Sequence, residues 1–142
     1  MNNRVIKFRV WFHEPSDISL GGQMVSGEYA IREDFIDMTS EGLTGSDECS
    51  IIMQFTGLTD KNGVEIYEGD VVSSPHFTDA AGREHTLKHI VQWSGKFHAW
   101  FLLNCRTMDE KTGSVQMFVS RGVEITVIGN IYENPELLEA QK

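Results

Sequence analysis

The chain has 142 residues, 21 of them acidic and 12 basic, for a formal net charge of −9, and 40% of them are hydrophobic. That length can bury one core without a disulfide or metal staple, and the composition does not signal wholesale disorder. The charge argues against broad capture of a phosphate backbone or an anionic membrane surface, since both need Lys and Arg gathered on one face.

The ordinary reading of the acidity is solubility by self-repulsion. The sharper one is an acidic surface that meets a basic partner or imitates DNA. Met1 to Phe12 has basic residues but no apolar signal region, and no apolar run approaches the roughly 20 residues of a membrane span. The expectation is a cytoplasmic protein in which Cys49 and Cys105 are reduced, buried thiols.

In chain order, Arg4 to Phe12 alternates Ile6, Phe8, Val10 and Phe12 with Lys7, Arg9 and Trp11, the period of a half-buried strand. Its basic residues are expected on the solvent face. His13 to Gly22 reads as a loop, and Gln23 to Ile31 as a short strand. Arg32 to Asp47 reads as a helical turn near Phe35 followed by a mobile loop, with loops placed over residues 32–48 and 75–84. Ile51 to Phe55 has strand composition. Asn62-Gly63 predicts a type I′ turn, which needs positive φ at both central positions. Val64 to Tyr67 is a short strand, and Glu68-Gly69-Asp70 a second turn. Val71-Val72 starts a strand that Pro75 stops or bends, and Phe77 to Glu84 follows as a loop.

Leu87 to Trp93 alternates again. Ser94-Gly95-Lys96 turns it into a strand over Phe97 to Leu103. Val115 to Val119 and Val123 to Ile128 read as strands, with Val123, Ile125 and Val127 on one face. Asn134, Pro135 and Glu136 suit the start of a short C-terminal helix. The sum is one mainly β domain over residues 1–142, an antiparallel meander closing into a small barrel or two-layer β fold.

Chemistry is sparse. His85 and His89 form H-x3-H, but on a strand they stand about 13 Å apart, too far to share an ion. No CxxC, HExxH, P-loop, GxSxG or dinucleotide fingerprint occurs. No catalytic, cofactor-binding or metal-ligating residue is therefore assigned, and no cofactor is expected. Glu65, Glu68 and Asp70 form a carboxylate group of the kind hydrolytic sites use, although Asp beside a glycine turn often bonds the backbone itself. Trp93, Phe97, Trp100 and Phe101 cluster on one hairpin. Core packing is their ordinary role, and base stacking with Lys88, Lys96 and Arg106 the sharper one.

Three segments resemble the YopX family of phage and prophage proteins: Ile6 to Trp11 (I-K-F-R-V-W), Met53 to Val72 (M-Q-F-T-G-L-T-D-K-N-G-V-E-I-Y-E-G-D-V-V) and Val127 to Leu138 (V-I-G-N-I-Y-E-N-P-E-L-L). The resemblance implies a mainly β fold and an origin in a phage genome or integrated element, hence the cytoplasm of a bacterial host. It supplies no activity and no catalytic residues. Three functions follow as expectations. The first is a non-enzymatic accessory module binding an unknown protein partner. The second is an enzyme on nucleotides or nucleic acid using Glu65, Glu68, Asp70 and His89. The third is a single-stranded nucleic-acid binder using the N-terminal basic strand and the Trp93–Trp100 hairpin. A homo-oligomer is expected, and a membrane role is not.

Overall fold

The structure, a computed structural model, describes residues 6–12, 22–27, 36–39, 42–45, 50–105 and 113–139. It is mainly β, and every strand pairing for which a register is given is antiparallel, as the period-two segments predict. Two compact units divide at Phe55/Thr56.

In the first unit, β1 (Phe8–Phe12) pairs on one side with β2 (Gln23–Ser26) and on the other with the start of β5 (Ser50–Thr59). The register sets Val10 opposite both Val25 and Ile52, and Val10 and Val25 form a small core with Phe8 and Ile52 against them. Ile6 does not join that face and is 72% exposed. Arg9 is half-buried rather than solvent-facing, its guanidinium 3.9 Å from the Met53 sulfur, and the Lys7 ammonium lies over the Phe55 ring. The basic strand thus spends part of its charge inside its own unit. The loop expected over residues 32–48 contains an antiparallel hairpin, β3 (Ile36–Thr39) with β4 (Gly42–Gly45). Phe35, Cys49 and Arg106 lie outside the described residues.

In the second unit, β6 (Glu65–Tyr67) neighbours the end of β5, and a four-stranded sheet runs in the order β10 (Thr126–Asn130), β7 (Asp70–Thr78), β8 (Glu84–Ser94), β9 (Ala99–Asn104). Pro75 bends β7 without stopping it. The register shifts between Pro75 and Phe77, and β10 pairs with β7 only as far as Ser73, so the missing N–H falls past the end of that ladder. Residues 77 and 78, read as loop, are strand. In the β8–β9 hairpin the turn occupies residues 95–98, so Phe97 stands in the turn and β9 starts at Ala99. His98 there has φ 50°, the one non-glycine residue with positive φ among those described.

The core of this unit is Ile66, Val72, Val91, Leu102, Val115 and Ile125. Val115 to Val119, expected as a strand, belongs to a helix, α1 (Val115–Ser120). A five-residue segment fits both periods. The helical one wins because it puts Val115, Phe118 and Val119 against the core at i, i+3 and i+4, while the Ser114 hydroxyl accepts the Met117 N–H as N-cap. Ser114→Ala should cost about 1 kcal/mol in urea unfolding; an unchanged midpoint would mean that packing alone holds α1. The expected C-terminal helix is a single 3₁₀ turn, Pro135–Leu138, whose Asn134 does not cap it. Asn134 instead accepts the Asn130 N–H, in the space that Gly129 leaves by having no side chain. Among the described residues no helix is long and apolar enough to cross a membrane.

Candidate functional site

The central segment with the strongest motif character is built of backbone clamps. Asp60 is 6% exposed. Its Oδ1 accepts the N–H groups of Asn62 (2.8 Å) and Val64 (2.9 Å), and its Oδ2 accepts that of Val127 (2.9 Å). Gly63, at φ 81°, closes the turn by donating to the Asp60 carbonyl. This is a three-residue loop with its glycine in the left-handed region, not the expected type I′ turn, for Asn62 has no positive φ. Burial by itself would raise the Asp60 pKa; the N–H groups of Val127, Val64 and Asn62, with nearby Lys61, outweigh it and hold the carboxyl below 3.8. Its contribution to stability is therefore present above pH 3.8 and lost as pH falls through the folded value.

Asp70, 1% exposed, accepts the Tyr67 N–H at 2.8 Å and so locks the Glu68-Gly69 turn. Gly69, φ 81°, donates to Val91 and accepts from Ile131. The closing segment answers in kind: Asn130 pairs with Asp70 across β7–β10, and its Oδ1 accepts the N–H groups of Tyr132 and Glu133. The central and closing motifs are neighbours, and both hold the backbone.

The four polar residues considered for catalysis go to separate tasks. Glu65 accepts the Tyr67 hydroxyl at 2.8 Å. Glu68 lies near enough to Tyr132 that, after burial, its charge helps raise that phenol's pKa. Asp70 serves the turn. His89 is completely buried, bonded through Nε2 to Ser74 Oγ at 2.9 Å, and burial pushes its imidazole below the usual 6.5. His85, the other half of H-x3-H, is exposed and bonded to Asp79 at 3.0 Å. Among the described residues no group of three His, Cys, Asp or Glu could hold a metal ion. Cys105 is free, and burial raises its thiol pKa, which outweighs the pull of Lys88; a protonated thiol is a poor nucleophile.

Two surface features remain. One is an open polar depression of about 370 Å³ between the β7–β8 hairpin and the start of β10, lined by Lys61, residues 73–76, Thr78, residues 84–86, Glu124 and Thr126. The other is the β8–β9 hairpin. Trp93 is 43% and Phe97 51% exposed. Trp93 meets Trp100 edge-on at 5.1 Å, and Phe97 stacks on Phe101 at 4.9 Å with the Lys96 ammonium over its ring. Of the four aromatics expected in the core, Trp100 packs against it, whereas Trp93, next to the last residue of β8, and Phe97, in the turn, face solvent.

This architecture has known relatives. The family described as YopX protein matches residues 7–139, and the chain belongs to the YopX family. Among solved structures, the crystal structure of protein EF1440 from Enterococcus faecalis is similar over 96% of this chain and 100% of its own, with a TM-score of 0.50 and 23% identity. At that identity the likeness speaks for the fold alone. A comparison with curated proteins found no match.

Proposed function

We propose that this YopX-family chain is a phage- or prophage-encoded accessory protein of the bacterial cytoplasm that acts without catalysis, by binding a protein partner through the tip of the β8–β9 hairpin. The observation that carries the reading is the exposure of Trp93 and Phe97, each backed by a second aromatic ring. Solvent-facing rings braced from behind are what interface anchors look like, and aromatics carry most of the energy at such contacts. From Leu87 to Cys105 the chain has two lysines and no carboxylate, so within an acidic protein this hairpin is locally cationic. The partner it fits offers an apolar pocket with an acidic rim. The same rings and lysines also suit single-stranded nucleic acid, and the test separates the two.

Tagged wild type and the Trp93→Ala/Phe97→Ala double variant should be compared in quantitative capture from host lysate, with and without nuclease. Both positions are exposed, so the variant should lose less than about 1 kcal/mol of stability. The reading expects one protein, retained after nuclease, to fall at least about tenfold with the variant, which removes both anchors. An identical set from both proteins overturns it, and a loss that nuclease reproduces transfers the hairpin to nucleic acid.

A further inference from the structure

The polar depression holds a feature that the fold does not use. Ser74 is 3% exposed and lines it, and its hydroxyl is bonded to His89 Nε2. The two side chains own two hydrogens, the serine O–H and one imidazole N–H, but only one bond joins them. His89 Nδ1 is sealed from solvent and has no partner among the described residues, with Phe118 packed edge-on to the ring. Placing the proton on Nδ1 would strand an N–H in the core, the costlier kind of unmet polar group. The lower-cost tautomer carries it on Nε2, which donates to Ser74 Oγ. The serine hydroxyl hydrogen then has no acceptor among the described residues, and Ser74 stands in the wall of the depression. A buried donor is thus held by a buried imidazole in the lining of the depression.

The rest of the lining selects the occupant. Hydroxyls predominate, from Ser73, Thr78, Thr86 and Thr126 as well as Ser74. Lys61 is the one permanent cation in the lining, and it already sits 3.9 Å from Glu124. Glu84 adds a second carboxylate, so two carboxylates face one ammonium in the wall, which disfavours phosphate or another anion. A metal ion lacks a ligand set among the described residues. An apolar ligand would strand the hydroxyls. What remains is a neutral molecule with many hydroxyls, able to accept from Ser74 and donate to Glu84. A depression of about 370 Å³ falls in the range of small-ligand sites.

We propose that the depression formed by Ser74, Thr86, Glu84 and Thr126 binds a neutral polyhydroxylated ligand of monosaccharide size, with Ser74 Oγ donating to one of its oxygens. The ligand's hydroxyls could belong to a free sugar or to the ribose of a nucleoside.

Saturation-transfer NMR and calorimetry on the full chain, with D-glucose, D-ribose and uridine as probes and inorganic phosphate as the contrasting one, test this. The expectation is saturable binding of at least one polyol at up to about 10 mM, the weak range for a shallow site. Glu84→Gln and Thr86→Val, both at exposed positions, should keep the fold and weaken it about three- to tenfold each, the worth of one hydrogen bond. Ser74→Ala should weaken it at least as much, judged on protein whose thermal melt shows it folded. Ribose and uridine binding alike with glucose silent assigns the pentose; glucose binding alone assigns a free hexose. Phosphate saturating in place of the polyols overturns the proposal. So does the absence of saturation by any probe, or polyol binding that all three variants leave unchanged.

Discussion

Asp60→Ala should destabilise the protein by about 3 kcal/mol in equilibrium urea unfolding, because three backbone N–H groups lose a charged acceptor together. The less obvious expectation is that Asp60→Asn is nearly as costly. Both carboxylate oxygens are in use, Oδ1 by the turn and Oδ2 by Val127 67 residues away. An amide offers one acceptor and points two donors at an N–H that is itself a donor. Whichever way the amide turns, either the local turn or the long-range tie is lost. Asn62→Ala is the control. Asn62 is exposed and has no positive φ, so its loss should cost less than about 0.5 kcal/mol. If Asn62→Ala proved the more damaging of the two, the loop would be a type I′ turn in solution and the aspartate clamp incidental.

That contrast shows where the sequence was legible. Asn62-Gly63 drew the eye as a turn dipeptide and placed the turn correctly, but the working signal is the aspartate three residues before the glycine. The same geometry recurs at Asp79-Ala80-Ala81-Gly82, where Asp79 Oδ1 accepts the N–H groups of Ala81 and Arg83 and Gly82 sits at φ 80°. With no Asn-Gly to announce it, that stretch read as loop. Period two located β1 and β8, although in β8 His89, Ile90 and Val91 are buried in succession and Trp93 is exposed. It also found the core-facing set Val123, Ile125 and Val127, of which only Val127 lies in β10, which starts at Thr126 rather than Val123. It failed over Ile36–Thr39 and Gly42–Gly45, where an acidic, glycine-bearing composition masked a hairpin, and at Val115–Ser120, too short to tell one period from the other. The depression was beyond reading in any window, because Lys61, Ser74, Thr86 and Thr126 come from four stretches that meet only once β7, β8 and β10 are in register.

In this chain the residues of the central and closing segments serve backbone geometry. Asp60, Gly63, Gly69, Asp70 and Asn130 each satisfy or position named backbone groups. The central segment supplies Asp60 to the N–H of Val127, and the closing segment supplies Asn130 opposite Asp70. Each motif therefore completes the other. The β8–β9 hairpin tip and most of the wall formed by β7 and β8 lie outside these two segments.

The second large effect is acid lability through His89. Its imidazole is wholly buried, makes one hydrogen bond, and burial lowers its pKa below 6.5. Between the two values the unfolded chain binds a proton that the folded chain refuses, so stability is complete above about pH 6.5 and falls as pH drops toward the folded value. The loss deepens as pH falls below 6.5 and levels off once the folded imidazole itself takes up the proton. Asp60 cannot imitate this, because its own loss begins only below pH 3.8. His89→Gln keeps a donor for Ser74 and does not titrate. Urea midpoints of the two proteins should therefore converge as pH falls from 7.5 to 5, with the variant's nearly flat. Parallel slopes would place the acid sensitivity elsewhere and leave the buried imidazole without a titration of its own in that range. A flattened slope would also show that the Ser74–His89 pair stays intact and neutral across it, the state in which the serine hydroxyl is free to meet a ligand.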